Sequence, residues 1–265
     1  MIVLLLTNKK LGYEARQLKA EFESRGHLVD HNIPTATPDI VVARQLGQRN
    51  PSNLYLALHY HGLGVRVINT PQAAILAKNK YDSGKLFEAN GLPVPWTEEL
   101  TSVDQLKNFN YPVIVKVLRG SKGNGVYLCH TRDEVEQRFN GADPMIIQEY
   151  VDTRPGEDLR VFIVGGRVIG IMHRKSSSGD FRANISQGGT GYPYTLTPEI
   201  ENLALTAARV VGLEICGVDL LFDQLGFKVC EINASPGFKG FDNFCQSNMA
   251  KVIVDYIEQQ CQKQF

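Results

Sequence analysis

The chain has 265 residues, 43% of them hydrophobic and 21% charged, the profile of an ordinary globular protein long enough to bury a substantial core. Lysine plus arginine and aspartate plus glutamate both number 28, so net charge points to neither nucleic acid nor a membrane as a partner. The five cysteines (Cys129, Cys216, Cys230, Cys245 and Cys261) form no CxxC pair and show no zinc-ligand spacing, which fits reduced thiols better than a disulfide framework.

Ile2–Leu6 is apolar but too short to cross a bilayer, and it lacks a basic flank and a small-residue cleavage site. It reads as a buried first strand, and a cytoplasmic location is expected. Residues 13–25 read as a helix, with Ala15, Leu18 and Phe22 on one side and Gly26 as the stop. Ile40–Ala43 and 65–68 read as further buried strands, with a helix at 53–63 between them. This alternation predicts a small open α/β unit with a parallel sheet over 1–70.

Beyond Thr70 the pattern changes. Pro71 suits the first position of a helix, and a second helix is expected over 82–90. Two prolines in 92–95 force an extended connector. Residues 111–118 and 125–129 read as strands around a glycine-rich loop, and Thr131 with Glu134 predicts a capping box for the next helix. Strands are expected at 145–150, 159–164 and 168–172, the last two joined by Gly165-Gly166. Thr197-Pro198 opens a helix reaching about Val211, and a closing helix is expected from about Phe244. The expected organisation is an α/β front end (1–70) and an α+β body in two parts (71–148 and 149–265).

The segment 217–233, GVDLLFDQLGFKVCEIN, carries the sharpest chemical signal. A three-residue loop Gln224-Leu225-Gly226 pairs Asp223 with Phe227, which sets Asp219 opposite Glu231 with Asn233 on the same face. Like charges directly opposed destabilise a strand pair. A hard divalent cation removes that conflict, and two carboxylates with an amide suit magnesium, or manganese in its place. The plainer reading is a pair of solvated carboxylates.

Lys116 sits in an apolar strand, where an ammonium needs a partner or a route to solvent. The loop that follows, Arg119-Gly120-Ser121-Lys122-Gly123-Asn124-Gly125, lets backbone N–H groups approach phosphate, although it is not a P-loop. Arg160, Arg174, Lys175 and Arg182 recur near strands of the second half, and 187–191 (QGGTG) is a further backbone-rich loop. Cations and a metal around one sheet are what phosphoryl transfer requires, because its transition state needs charge neutralisation and positioning.

Together these strings resemble the ATP-grasp superfamily, specifically its RimK-like α-L-glutamate ligase branch. They are Asn79-Lys80, 92–95 (LPVP), 113–116 (VIVK) with Gly120 and Gly125, 148–150 (QEY), 158–160 (DLR), 179–184 (GDFRAN) and 231–237 (EINASPG), and the resemblance runs from about Val65 to Ile257. It implies an ATP-grasp fold, α/β plus α+β, with ATP between two α+β subdomains. By the resemblance, Lys80 and Lys116 contact the nucleotide, Glu149 and Tyr150 form the adenine linker, and Asp158 holds the ribose. Arg182, Ala183 and Asn184 lie near the phosphates, and Asp219, Glu231 and Asn233 hold magnesium. Family members usually have Asp where this chain has Asn79 and Ser where it has Ala183, and the front domain is shorter here.

The expected activity is magnesium- and ATP-dependent joining of a carboxylate acceptor, either a protein C-terminus or a small molecule, to glutamate or a similar amino acid through an acyl phosphate. Lys116 and Arg182 would offset developing charge, and Arg160, Arg174 and Lys175 would hold substrate carboxylates. Self-association is common among such relatives, so a homo-oligomer is a further expectation. A phosphotransferase of the same fold and a non-catalytic nucleotide-binding protein remain the alternatives.

Overall fold

A computed structural model describes residues 1–46, 50–118, 125–139, 141–177, 179–183 and 188–262. The first unit is built from β1 (Ile2–Leu6), α1 (Tyr13–Ser24), β2 (Leu28–His31), β3 (Ile40–Ala43), α2 (Pro51–Gly62) and β4 (Arg66–Ile68). Its strands lie in the order β2-β1-β3-β4, all parallel, as the alternation predicts. β1 and β3 are buried almost throughout, the usual state of parallel strands covered on both faces. β2 was not expected: it is a partly exposed edge strand, LVDH, with no apolar run to mark it.

Next come α3 (Pro71–Leu76), α4 (Lys80–Ala89), β5 (Thr97–Leu100), a 3-10 turn at Val103–Asn108, β6 (Val113–Val117), β7 (Val126–Cys129), α5 (Arg132–Arg138) and β8 (Met145–Glu149). The four strands form an antiparallel sheet, β5-β8-β6-β7, around Leu100, Leu106, Val113, Val115, Val135 and Ile147. Helix α4 starts two residues earlier than expected because Asn79 caps it, its Oδ1 accepting from the N–H groups of Tyr81 (3.2 Å) and Asp82 (3.3 Å). Only half of the expected capping box forms at α5. Thr131 accepts from Glu134 N–H at 3.3 Å, but the Glu134 carboxylate reaches one residue further back, to His130 N–H at 2.8 Å.

The third sheet carries the chemistry. It contains β9 (Glu157–Val164), β10 (Arg167–Lys175), β11 (Thr190–Pro193), then α6 (Pro198–Val211), β12 (Ile215–Asp223), β13 (Gly226–Asn233), α7 (Lys239–Cys245) and α8 (Met249–Gln262). The strand order is β11-β10-β9-β12-β13, antiparallel throughout. Both faces are covered. Val161 and Ile163 of β9 point to α6 with Ile200, Ala204 and Ala207, while Phe162 and Val164 pack on the opposite side with Phe241, Ile253 and Ile257. Gly165 and Gly166 turn the β9–β10 hairpin at φ of 59° and 72°. The closing helix is interrupted. Gln246 is left-handed (φ 49°) and the Asp242 carboxylate accepts from Met249 N–H at 2.9 Å, which ends α7 and starts α8. Helix α8 then returns to α1, where Arg25 bridges Asp255 and Glu258 at 2.7 Å each.

The hairpin reaches the expected register by a different route. Asp223 pairs with Gly226, so the loop is Gln224-Leu225 and shorter by one residue, and Phe222 takes Phe227. An extra residue at Cys230 then restores Asp219 opposite Glu231, a bulge of the kind that re-aims side chains.

One buried amide joins the first and third sheets. Asn69, 2% exposed, donates to the carbonyls of Ile215 (2.6 Å) and Ala234 (2.9 Å) and accepts from the N–H groups of Glu214 (2.8 Å) and Ile215 (2.9 Å). All four capacities of the side chain are used on backbone that leads into and out of the β12–β13 hairpin. Asn69→Ala leaves those groups without partners and is expected to cost about 3 kcal/mol or more in urea unfolding. A loss below about 1 kcal/mol would show that water replaces the amide at little cost.

Candidate active site

Three carboxylates, two arginines and two lysines gather over β9, β10, β12 and β13. Asp219, in the middle of β12 and 4% exposed, takes a two-pronged contact from Arg160 of β9, with Nε to Oδ1 at 2.7 Å and Nη2 to Oδ2 at 2.6 Å. Arg174 of β10, 3% exposed, donates to Asp219 Oδ2 at 2.8 Å and grips both oxygens of Asp158 at 2.6 Å. Strand alternation and register explain the arrangement, since Asp219 lies beside Arg160 and Arg174 beside Asp158 across adjacent strands.

The network sets the protonation states. Burial alone would raise the Asp219 carboxyl, but Arg160 and Arg174 outweigh it and hold the group far below the usual carboxylate range. Asp158 is pushed the other way, because burial and the charge of Asp219 together exceed the pull of Arg174. Arg174 is desolvated, yet its two carboxylates raise its affinity for the proton.

The metal expectation can be tested by lone pairs. A carboxylate has about four acceptor positions. Asp219 spends three on guanidinium donors, leaving one on Oδ1. Glu231 meets Lys80 Nζ at 3.4 Å, and Asn233 Oδ1 accepts from Ser235 N–H at 2.8 Å. Among the described residues no three His, Cys, Asp or Glu side chains make a metal cluster, so the set is two carboxylates and an amide with oxygen atoms to spare. That donor set fits a hard divalent cation that also takes ligands from phosphate.

Lys80 opens α4 and faces the hairpin. The charge of Glu231 raises its pKa against the effect of burial, with Cys230 and Asp219 adding to the rise. Lys116, 7% exposed on β6, has a neutral partner: its Nζ donates to Gln148 Oε1 at 2.5 Å and meets Cys230 Sγ at 3.9 Å. Both ammonium groups therefore adjoin the bulge of β13. Between α4, the connector and β8, a narrow cleft is lined by Lys80, Val94, Pro95, Gln148, Val229 and Cys230. It holds about 10 Å³, room for about one water.

The remaining expected residues are placed as follows. Glu149 ends β8, with Oε1 taken by Lys228 at 2.6 Å and Oε2 accepting from Trp96 N–H at 3.2 Å, and the half-buried Tyr150 follows it. Lys175 binds Glu157 at 2.8 Å. Arg182 is held by Asp180, Nη2 to Oδ2 at 2.6 Å, and Ala183 is buried. Asn184, the glycine-rich loop 119–124 and the first residue of 187–191 lie outside the described residues. Sequence reading missed Gln148 as the lysine's partner, Cys230 as the bulge residue and Lys228 as the cation on Glu149. All three lie in strings already singled out, but their roles come from contacts with Lys116 and Glu149, each more than 30 residues away, which no local pattern reveals.

Comparison with known proteins places the chain in a family. Residues 73–257 match the family model described as RimK-like ATP-grasp domain. The chain is 34% identical over 247 residues to human N-acetylaspartylglutamate synthase A, an alignment covering 87% of this chain and 63% of that protein, so it spans less than two thirds of that relative's length. It is 31% identical over 286 residues to a probable alpha-L-glutamate ligase of Psychromonas ingrahamii, covering 97% and 94% of the two chains. Among solved structures, the ATP-grasp ligase PsnB in complex with a minimal precursor, Mg and ADP superposes with a TM-score of 0.77 at 21% identity, covering 98% of this chain and 97% of that one, a likeness of fold. The chain belongs to the RimK-like ATP-grasp family.

Proposed function

We propose that this protein is a magnesium-dependent ligase that uses ATP to join a carboxylate acceptor to the α-amino group of glutamate, forming ADP, phosphate and an amide. The observation that carries the reading is the meeting of Lys80 and Lys116 at the β13 bulge, beside opposed Asp219 and Glu231. Cations and spare carboxylate oxygens in one place suit a metal-bound triphosphate. The names of the relatives support the choice of glutamate.

In this reading Asp219, Glu231 and Asn233 hold magnesium, which when bound neutralises phosphate charge. Arg160 and Arg174 keep Asp219 ionised, so the ligand is ready at neutral pH. Gln148 fixes the Lys116 ammonium and Asp180 fixes the Arg182 fork, so both cations are positioned before charge develops on the transferred phosphoryl group. An acceptor carboxylate oxygen attacks the γ-phosphorus, the β–γ bridge breaks and ADP leaves. The amine then attacks the acyl carbon, the carbon–oxygen bond to phosphate breaks, and the nitrogen loses a proton. The chain supplies no nucleophile of its own. Glu149 and Tyr150 line the adenine side, Asp158 the ribose side, and Lys175 meets substrate. The chain is proposed to divide into domains at 70/71 and 148/149.

Glu231→Gln keeps the shape of the side chain and removes its charge, so the fold is expected to survive while turnover falls roughly 100-fold or more. Turnover like that of the wild type would remove the hairpin from the chemistry. The ligase reading itself is tested by trapping. With Mg-ATP and a panel of carboxylic acids, hydroxylamine should capture the activated acyl group as a hydroxamate, and glutamate should give an amide with equimolar ADP. A stable phosphorylated product with neither hydroxamate nor amide would mean that the protein is a phosphotransferase.

A further inference from the structure

A second cation, outside the network above, is buried without an acid. Arg44 directly follows β3 and is 8% exposed. Its Nη2 donates to the carbonyl of Pro236 at 2.7 Å, and its guanidinium carbon lies 5.5 Å from the centroid of the Phe238 ring. Among the described residues no carboxylate reaches it; Glu14 acts only at longer range. Burial pulls its pKa down to about 10, so it is still charged at neutral pH. One of five N–H donors is thus used, and a buried guanidinium without an anion is costly.

The other wall supplies an independent sign. Among the described residues Ser235 Oγ is buried with no hydrogen-bond partner, although its backbone N–H is tied to Asn233 Oδ1. The loop carrying Ser235 and Pro236 lies against the β12 network. A Cβ on Gly217 would stand 3.1 Å from Pro236 Cβ and 3.5 Å from Arg160 Cδ, so the glycine allows all three to meet. Pro236 is three residues beyond Asn233, at most about 11 Å along an extended chain. On the outer side, Glu14 Oε1 accepts from Lys239 N–H at 3.5 Å, and Gly237 is exposed.

We propose that Arg44 and Ser235 form a carboxylate-binding subsite, between the first sheet and the loop after Asn233, that holds an anionic group of an organic substrate next to the phosphorylation site. The proposal rests on the ligase reading for the substrate's role but not for the anion site itself. A carboxylate there would take the free fork of Arg44 and the Ser235 hydroxyl, satisfying both groups together. It belongs either to the acceptor acid, away from its reacting end, or to the amino-acid donor.

The test uses the full chain. L-glutamate and citrate, as carboxylate probes, are titrated calorimetrically into wild type and Arg44→Gln, and initial rates are then measured with the acid and amino acid found by the panel. Arg44→Gln should weaken probe binding at least tenfold and raise KM about tenfold for one organic substrate. KM for ATP should stay unchanged and the thermal midpoint should be equal or higher, since an uncompensated charge is lost. The substrate whose KM rises identifies the source. Replacing its carboxylate by an amide should cost wild type about tenfold and the variant nothing. Should Arg44→Gln fail to fold, Arg44→Lys and Ser235→Ala replace it, each expected to bind a probe at least threefold more weakly.

Equal probe affinity in wild type and variants, no probe binding by wild type, or a destabilised variant with both organic KM values unchanged would each overturn the subsite. If wild type makes no amide, the ligase reading fails separately, and the titration still decides whether Arg44 binds carboxylates.

Discussion

Asp219 and Glu231 stand opposite one another on the β12–β13 hairpin, and the site is organised around offsetting that repulsion. Arg160 and Arg174 close on Asp219 from two neighbouring strands, Lys80 approaches Glu231 from the start of a helix, and Asp158 balances the second arginine. Buried charges in such numbers are tolerable only when nearly every donor and acceptor is matched. The matching here is close but leaves oxygen positions on Asp219, Glu231 and Asn233, which is where a divalent cation would complete it.

The scaffold keeps this geometry fixed. The third sheet is covered on one face by α6 and on the other by α7 and α8, so the charged rows of β9, β10 and β12 are held by strands with apolar residues on either side. Asn69 then binds the backbone at both ends of the hairpin to the first sheet. A small displacement of the hairpin would break several of these bonds together, which favours a rigid third sheet.

Much of this was legible in the sequence because it depends on local pattern. The parallel front sheet followed from apolar runs alternating with helices, α6 from its Thr197-Pro198 start, and the Asp219–Glu231 opposition from strand alternation. That last expectation reached the right pairing through the wrong loop, because the missing loop residue and the extra residue at Cys230 cancel. The strands that escaped notice, β2, β5 and β11, are sheet-edge segments with polar or small residues, where burial leaves no period to read. The partners of Arg160 and Arg174 escaped for another reason. Each sequence position resembles a solvated charge, and only the order β10-β9-β12 brings them together. Arg44 was invisible for the same cause, being one basic residue after an apolar strand.

The central claim is that this site phosphorylates a carboxylate and does not merely hydrolyse or transfer phosphate from ATP. Oxygen bookkeeping in the products tests it directly. With both carboxylate oxygens of the acceptor labelled with oxygen-18, the oxygen that attacks phosphorus must leave with phosphate when the amine takes its place on carbon. Mass spectrometry of the inorganic phosphate should therefore find one labelled oxygen per amide formed, with the second label in the amide carbonyl. Amide formation accompanied by unlabelled phosphate would contradict the account, since the carboxylate would then have been activated without an acyl phosphate.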